Sequence, residues 1–174
     1  ETRLLERWPH AEIWTGIVFN GEKLGFTHRV VRPAPGSPGR FEIESEAAIR
    51  LRFLGIDKRL ALRSLDPVRA DLTLESFRYS HEIDGSSLQV EGIADGKALK
   101  FSVRNSSGTE QRAVPLEEPL YPSSVLAMLP VARGLAVGDR TSYAVFNGET
   151  QAIAEAQQEV QAWESSELFA GLAF

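Results

Sequence analysis

Histidine is the first place to look for chemistry, and the chain has three, His10, His28 and His81, no two of them four residues apart or in a His-x-His pair. Protein zinc sites usually draw on such local spacings, so these histidines read as separate residues rather than as a shared site. There is no cysteine, which removes disulfides, thiol nucleophiles and thiolate metal ligands. Nucleophilic serine chemistry needs a base held by a third group. Ser123 and Ser124 come directly after Pro122 at the start of an apolar run, where helix capping accounts for them, and no G-x-S-x-G elbow occurs. Glu117 and Glu118 are bracketed by Pro115 and Pro119, as in an exposed linker. Glu42, Glu44 and Glu46 share one strand face at ~7 Å intervals; acid–base pairs can use that spacing, but a solvated face is the commoner use. Glycine-rich phosphate cradles are missing as well. The sequence therefore assigns no catalytic residue, no metal and no cofactor.

Two sets of residues remain that could recognise a partner. Arg50, Arg52, Arg59 and Arg63 project from the outer face of one expected hairpin. With the turn near Gly55, Arg52 lies close to Arg59, an arrangement that costs energy unless an anion sits between them. The face is either neutralised internally, with help from Glu42–Glu46, or a docking patch for an acidic partner or a following domain. The second set comprises Trp14, Phe26, Phe53, Phe77, Tyr79, Phe101, Leu126, Met128 and Tyr143. These would line or fill the concave side of a curved sheet, as plain core or as the wall of an apolar cavity open to a lipid or other hydrophobic small molecule.

The elements that must position these residues are mostly strands. Ile13–Phe19 and Leu24–Val31 join through Asn20-Gly21, which supplies two positive-φ positions for a tight hairpin. A proline- and glycine-rich loop occupies 33–39. Phe41 to Phe53 then alternates over thirteen residues, with Phe41, Ile43, Ser45, Ala47, Ile49, Leu51 and Phe53 on the buried face. Lys58–Leu65 returns, ending at Asp66-Pro67. Leu72–Ile83, Leu88–Ala94, Ala98–Asn105 and Thr109–Val114 form a meander whose two Asp-Gly turns favour antiparallel neighbours. Tyr121–Arg133 reads as a buried helix of about three turns, capped by its serines and limited by Pro130 and Gly134. Thr141–Phe146 is a strand turning at Asn147-Gly148. Gln151–Trp163 has helical composition and spacing, but its place after that turn favours a strand pairing back on 141–146.

The expectation is one mostly β (α+β) domain over 1–174, a half-barrel of antiparallel hairpins wrapped over one or two short helices, with its core between 10 and 165. At 174 residues such a chain buries roughly 70% of its unfolded surface. A net charge of −5 argues against nucleic acid, whose binders are usually basic, and no apolar run reaches the ~20 residues of a membrane span. Residues 1–10 read as a short helical or irregular lead-in, and the apolar ending Leu168–Phe174 suggests a chain cut from a longer one.

The order of these pieces resembles a known family. Trp14–Phe26, containing Gly21-Glu22-Lys23-Leu24-Gly25-Phe26, is similar to the opening hairpin of bacterial domains that precede a transglutaminase-like domain in exported proteins. The likeness continues through Arg52-Phe53-Leu54-Gly55, Tyr121-Pro122 and Val145-Phe146-Asn147 and covers roughly 12–165. It implies a sheet curved over a helix, similar to lipoprotein carriers of the LolA/LolB type, in a periplasmic or otherwise exported protein. It also implies a downstream domain bearing a Cys-His-Asp triad, none of which can be placed in this cysteine-free chain. The function expected is a non-catalytic accessory or recognition domain, the alternative a carrier of a lipid or other hydrophobe.

Overall fold

The computed structural model describes residues 11–53, 56–148 and 150–163, without the side chains of Ala11, Phe53 and Ile56. The lead-in over 1–10 with His10, the turn at Leu54-Gly55, the side chain of Phe53 and the apolar ending lie outside the described residues. Eight strands succeed one another in a single antiparallel sheet in chain order. They are β1 (Ala11–Phe19), β2 (Glu22–Pro33), β3 (Phe41–Phe53), β4 (Ile56–Val68), β5 (Ser76–Ile83), β6 (Ser86–Ala94), β7 (Ala98–Asn105) and β8 (Gly108–Pro115). Both β1–β2 and β5–β6 turn on adjacent positive-φ residues, Asn20 at 48° with Gly21 at 79°, and Asp84 at 48° with Gly85 at 83°. That conformation matches the right-handed twist of the flanking strands and suits these residue types.

A second, three-stranded sheet has the order β11 (Ala152–Glu159), β10 (Arg140–Asn147), β9 (Leu120–Pro122), with β9 parallel to β10. β10 is the interior of the molecule. Tyr143 and Val145 pack into a cluster with Val31, Phe41, Ile43 and Val68 of β2–β4, whereas Ala144 and Phe146 pack into one with Phe77, Val90, Leu99 and Phe101 of β5–β7. A strand with both faces buried against the same sheet means that the sheet curves around it. β11 is confirmed as the strand pairing back on β10, Tyr143 opposite Ala156 and Phe146 opposite Ile153.

The expected three-turn helix over 121–133 is not there. Leu120–Pro122 is strand, Ser123–Val125 a single 3₁₀ turn, and α1 (Leu129–Ala132) one helical turn with Pro130 near its start. The run is buried as read, Val125 and Leu129 being fully enclosed, but parallel pairing with β10 holds Tyr121 extended. Ser123 and Ser124 do not serve as caps; the end before Ser123 has no side-chain hydrogen bond. β4 runs through Asp66-Pro67 to Val68, because at Pro67 its neighbour is β3 alone and the Pro67 carbonyl accepts from Glu75 N–H at 3.0 Å. β5 starts at Ser76, not Leu72. Residues 69–74 instead form a tight loop with Leu72 at φ 67°, closed by the Arg69 guanidinium donating to Leu74 O at 2.6 Å and Ala94 O at 3.0 Å.

Two glycines allow close approach within the sheet. A Cβ on Gly25 would lie 1.9 Å from Ala48 O, beside the irregularity after Ile17 in β1. A Cβ on Gly92 would lie 2.6 Å from Lys100 O and 2.8 Å from the Phe77 ring, which lies across that rung.

Candidate ligand-binding trough

The inward face of the large sheet changes character along its strands. Pairing sets Val31 opposite Ile43, Arg29 opposite Ser45 and Thr27 opposite Ala47 between β2 and β3. β4 continues these rungs with Ser64 and Leu62, β1 with Ile13 and Thr15, and β5 with Tyr79. At one end the face carries Val31, Phe41, Ile43 and Val68, none more than 5% exposed, under Tyr121, Val125 and Leu129. Farther along, the same columns carry Ser45, Ala47, Thr27 and Thr15. Side chains this small do not fill the space that the curvature encloses. A trough of about 340 Å³ results, floored by Ile13, Thr15, Thr27, Arg29, Ser45, Ala47, Leu62, Ser64 and Tyr79, with Ser124 at its wall. A second hollow of about 200 Å³ shares Leu62, Ser64 and Tyr79 and extends beside Pro122, Ser123 and Phe146.

Two charged groups meet this space, and Ser124 ties both to it. The Arg29 Nη1 donates to Ser124 O at 3.2 Å, and the Ser124 hydroxyl donates to Asp66 Oδ2 at 2.7 Å. Asp66 is buried, and loss of water lifts its carboxyl to about 6 although hydroxyls of Ser124 and Ser64 favour the ionised form. Arg29 is half-buried, and burial lowers its pKa. Among the described residues it has no carboxylate within ion-pairing distance, in contrast to Arg32, which lies 3.0 Å from Glu42 and 3.3 Å from Glu44. His81 Nδ1 on the same face, and Tyr143 Oη in the core, are buried with no hydrogen-bond partner among the described residues.

Of the residues expected to line a cavity, Tyr79 does so, and Phe77 borders the smaller hollow. Phe101, Met128 and Tyr143 are closed core at 2%, 4% and 2% exposure, and Leu126 packs half-buried against the cluster that holds Met128 and Tyr143. Trp14 and Phe26 are on the opposite, convex face, because Trp14 pairs with His28 and Phe26 with Ala48. There Trp14 stacks on the His28 ring at 3.8 Å and donates to Glu12 at 3.1 Å. The residues missed in the sequence are Arg29, Asp66 and Ser64. β2 gives no clear phase, since Leu24, Phe26, His28 and Val30 alternate as plausibly as Gly25, Thr27, Arg29 and Val31; only pairing with the unambiguous β3 turns Arg29 inward.

The convex arginines are partly neutralised. Phe53 opposes Ile56, which sets Arg50, not Arg52, against Arg59 and places Asp57 opposite Arg52. Arg50 Nε donates to Asp57 at 2.8 Å, Arg52 Nε lies 3.7 Å away, and the Arg50 hydrogen bond above all holds that carboxylate down to about 2. Arg59 and Arg63 make no ion pair among the described residues. Glu42, Glu44 and Glu46 are taken up by Arg32 and His28, so the stripe is a paired face rather than an acid–base site. A wider hollow of about 660 Å³ lies over the convex side of β4–β8. Its charges face one another, Arg78 with Glu91 and Lys100 with Asp95, so it offers a ligand no unmatched group. No cluster of histidine and carboxylate able to hold a metal ion occurs among the described residues, and no helix there is long and apolar enough to cross a membrane.

No family model matches the chain, and no curated protein does. Among solved structures, a DUF1089 family protein from Pseudomonas aeruginosa is similar over 84% of this chain and 73% of its own, at 17% identity and a TM-score of 0.43.

Proposed function

We propose that this domain is a non-catalytic binding module that holds a hydrophobic small molecule in the trough between β1–β5 and the segment after β9. The observation that carries this reading is the hollowing of the inward face, where large apolar side chains give way to Thr15, Thr27, Ser45 and Ala47 just beyond a filled core. Its volume of about 340 Å³, extended by about 200 Å³ next to it, falls in the range of small-molecule sites. Ile13, Ala47 and Leu62 supply apolar wall, and hydroxyls supply a few polar contacts. The non-catalytic part of the reading rests on the sequence, which lacks a thiol and a nucleophile elbow. Accessory service to a transglutaminase-like domain of an exported bacterial protein is supported by the motifs of the opening hairpin, and the trough would then be its recognition site.

The test is native mass spectrometry of the protein purified from cells, set beside its denatured mass. Extra mass of a few hundred daltons, released on denaturation and lost in Ala47→Trp, is expected. A clean apo mass, together with no uptake of added hydrophobes, overturns the reading.

A further inference from the structure

Arg29 narrows the class of molecule the trough takes. A guanidinium carries five N–H donors in a planar fork, and Arg29 spends one on the Ser124 carbonyl. The remaining donors have no carboxylate among the described residues. Leaving a cation half-buried and unmatched is costly, and along β2 the next arginine, Arg32, is matched twice over. Around Arg29 the inward face offers hydroxyls at Thr27, Ser45 and Thr15, all able to donate to an anion, while the Ser64 hydroxyl is taken by Asp66.

The charge is single. Arg63, His28 and Glu46 border the trough, but strand alternation points all three side chains to the convex face, where His28 contacts Glu12 and Glu46. One fixed cation matches a monoanion, and its fork matches a carboxylate in two-point fashion; a phosphate dianion calls for a second positive group. Asp66, in the adjoining hollow with Leu74, Phe77 and Phe146, repels an anionic head there and leaves that end to an apolar tail.

We propose that the ligand is a single-chain carboxylic acid of the fatty-acid type, its carboxylate held by the Arg29 guanidinium in the trough and its chain directed toward Phe77 and Phe146. This inference rests on the trough being a hydrophobe site and goes further in naming the head group.

The experiment is isothermal titration calorimetry of the whole chain with dodecanoate, dodecanol and dodecyl phosphate, repeated with Arg29→Gln and Arg29→Lys. Dodecanoate is expected to bind roughly ten- to a hundredfold tighter than dodecanol, the worth of one charge-assisted contact. Arg29→Gln should remove the preference for the acid over the alcohol, and Arg29→Lys should restore part of the difference. Equal binding of acid and alcohol by the unaltered protein overturns the head-group assignment while leaving the hydrophobe site in place, whereas binding of none of the three removes both. A tighter grip on dodecyl phosphate overturns the choice of carboxylate. A lower unfolding midpoint in Arg29→Gln with the acid-to-alcohol ratio unchanged makes Arg29 a structural tie to Ser124 and nothing more.

Discussion

Asp66 gives the fold a pH response of unusual sign. Its carboxyl ionises near 3.8 in an unfolded chain and at about 6 in the fold. Below the lower value both states hold the proton and the side chain is neutral in the balance. As pH rises from about 4 to 6 the unfolded chain releases its proton first, so Asp66 takes away stability, on the order of 2–3 kcal/mol by pH 7. Asp57 and Asp95 act in the opposite sense. Asp57 is held down to about 2 by Arg50, and Asp95 likewise by the Lys97 and Ala98 N–H groups, so both add stability that is lost only under stronger acid. Asp66→Asn should flatten the fall in urea-unfolding free energy between about pH 4 and pH 7; the same slope in both proteins would place its origin elsewhere. Tyr143 supplies a second test. Its hydroxyl is buried without a partner among the described residues, and an unpaired buried hydroxyl costs about 1–3 kcal/mol. Tyr143→Phe keeps the contacts with Tyr121 and Arg133 and should leave the melting temperature unchanged or higher.

Among the elements, β10 matters most because it has no solvent face over Tyr143–Phe146. Phe146 touches both Phe77 and Phe101, with ring centres at 4.6 Å and 5.4 Å. Phe146→Ala should cost about 3–5 kcal/mol, read by chemical denaturation. Gly25→Ala should also destabilise, since the Ala48 carbonyl in the way is backbone and cannot swing aside; a stability matching the parent would show that β2 and β3 can part there. The strands were legible wherever alternation and turn chemistry agreed. β3 declared which of its faces turns inward, although among the described residues that face is buried only at Phe41 and Ile43 and its far end is open, Leu51 being 45% exposed. Asn20-Gly21 and Asp84-Gly85 declared their hairpins, and Asn147-Gly148 outweighed the helical composition of β11. The Tyr121–Arg133 run was legible as buried but not as extended. An apolar stretch with no polar face has no period, and a short parallel pairing such as that of β9 leaves no mark in local sequence. A hollow on the concave side was expected, but most of its lining escaped for a related reason. It depends on which of two equivalent phases β2 adopts, and a small difference in the β3–β4 register likewise changed which arginines face each other.

At the scale of the whole molecule, the eight-stranded sheet depends on the strands and turns made after it. Both core clusters draw on residues from β9 onward, Tyr121, Val125, Leu129 and Val145 in one and Leu120, Ala144 and Phe146 in the other. A fragment ending at residue 119 should therefore retain strand content by circular dichroism yet bind a hydrophobic dye and aggregate. A monomeric fragment with cooperative unfolding would show that the sheet closes on itself. The buried placement of β10 also has a consequence in time. Hairpins between neighbouring strands close in microseconds, while synthesis delivers about 5–20 residues per second. The meander is complete at Pro115, but its interior strand ends at Asn147, so for some seconds of each round of translation the strand that fills the curved sheet trails it out of the ribosome. Its vulnerable moment in the cell falls within that interval, and slower elongation while those residues emerge would lengthen it.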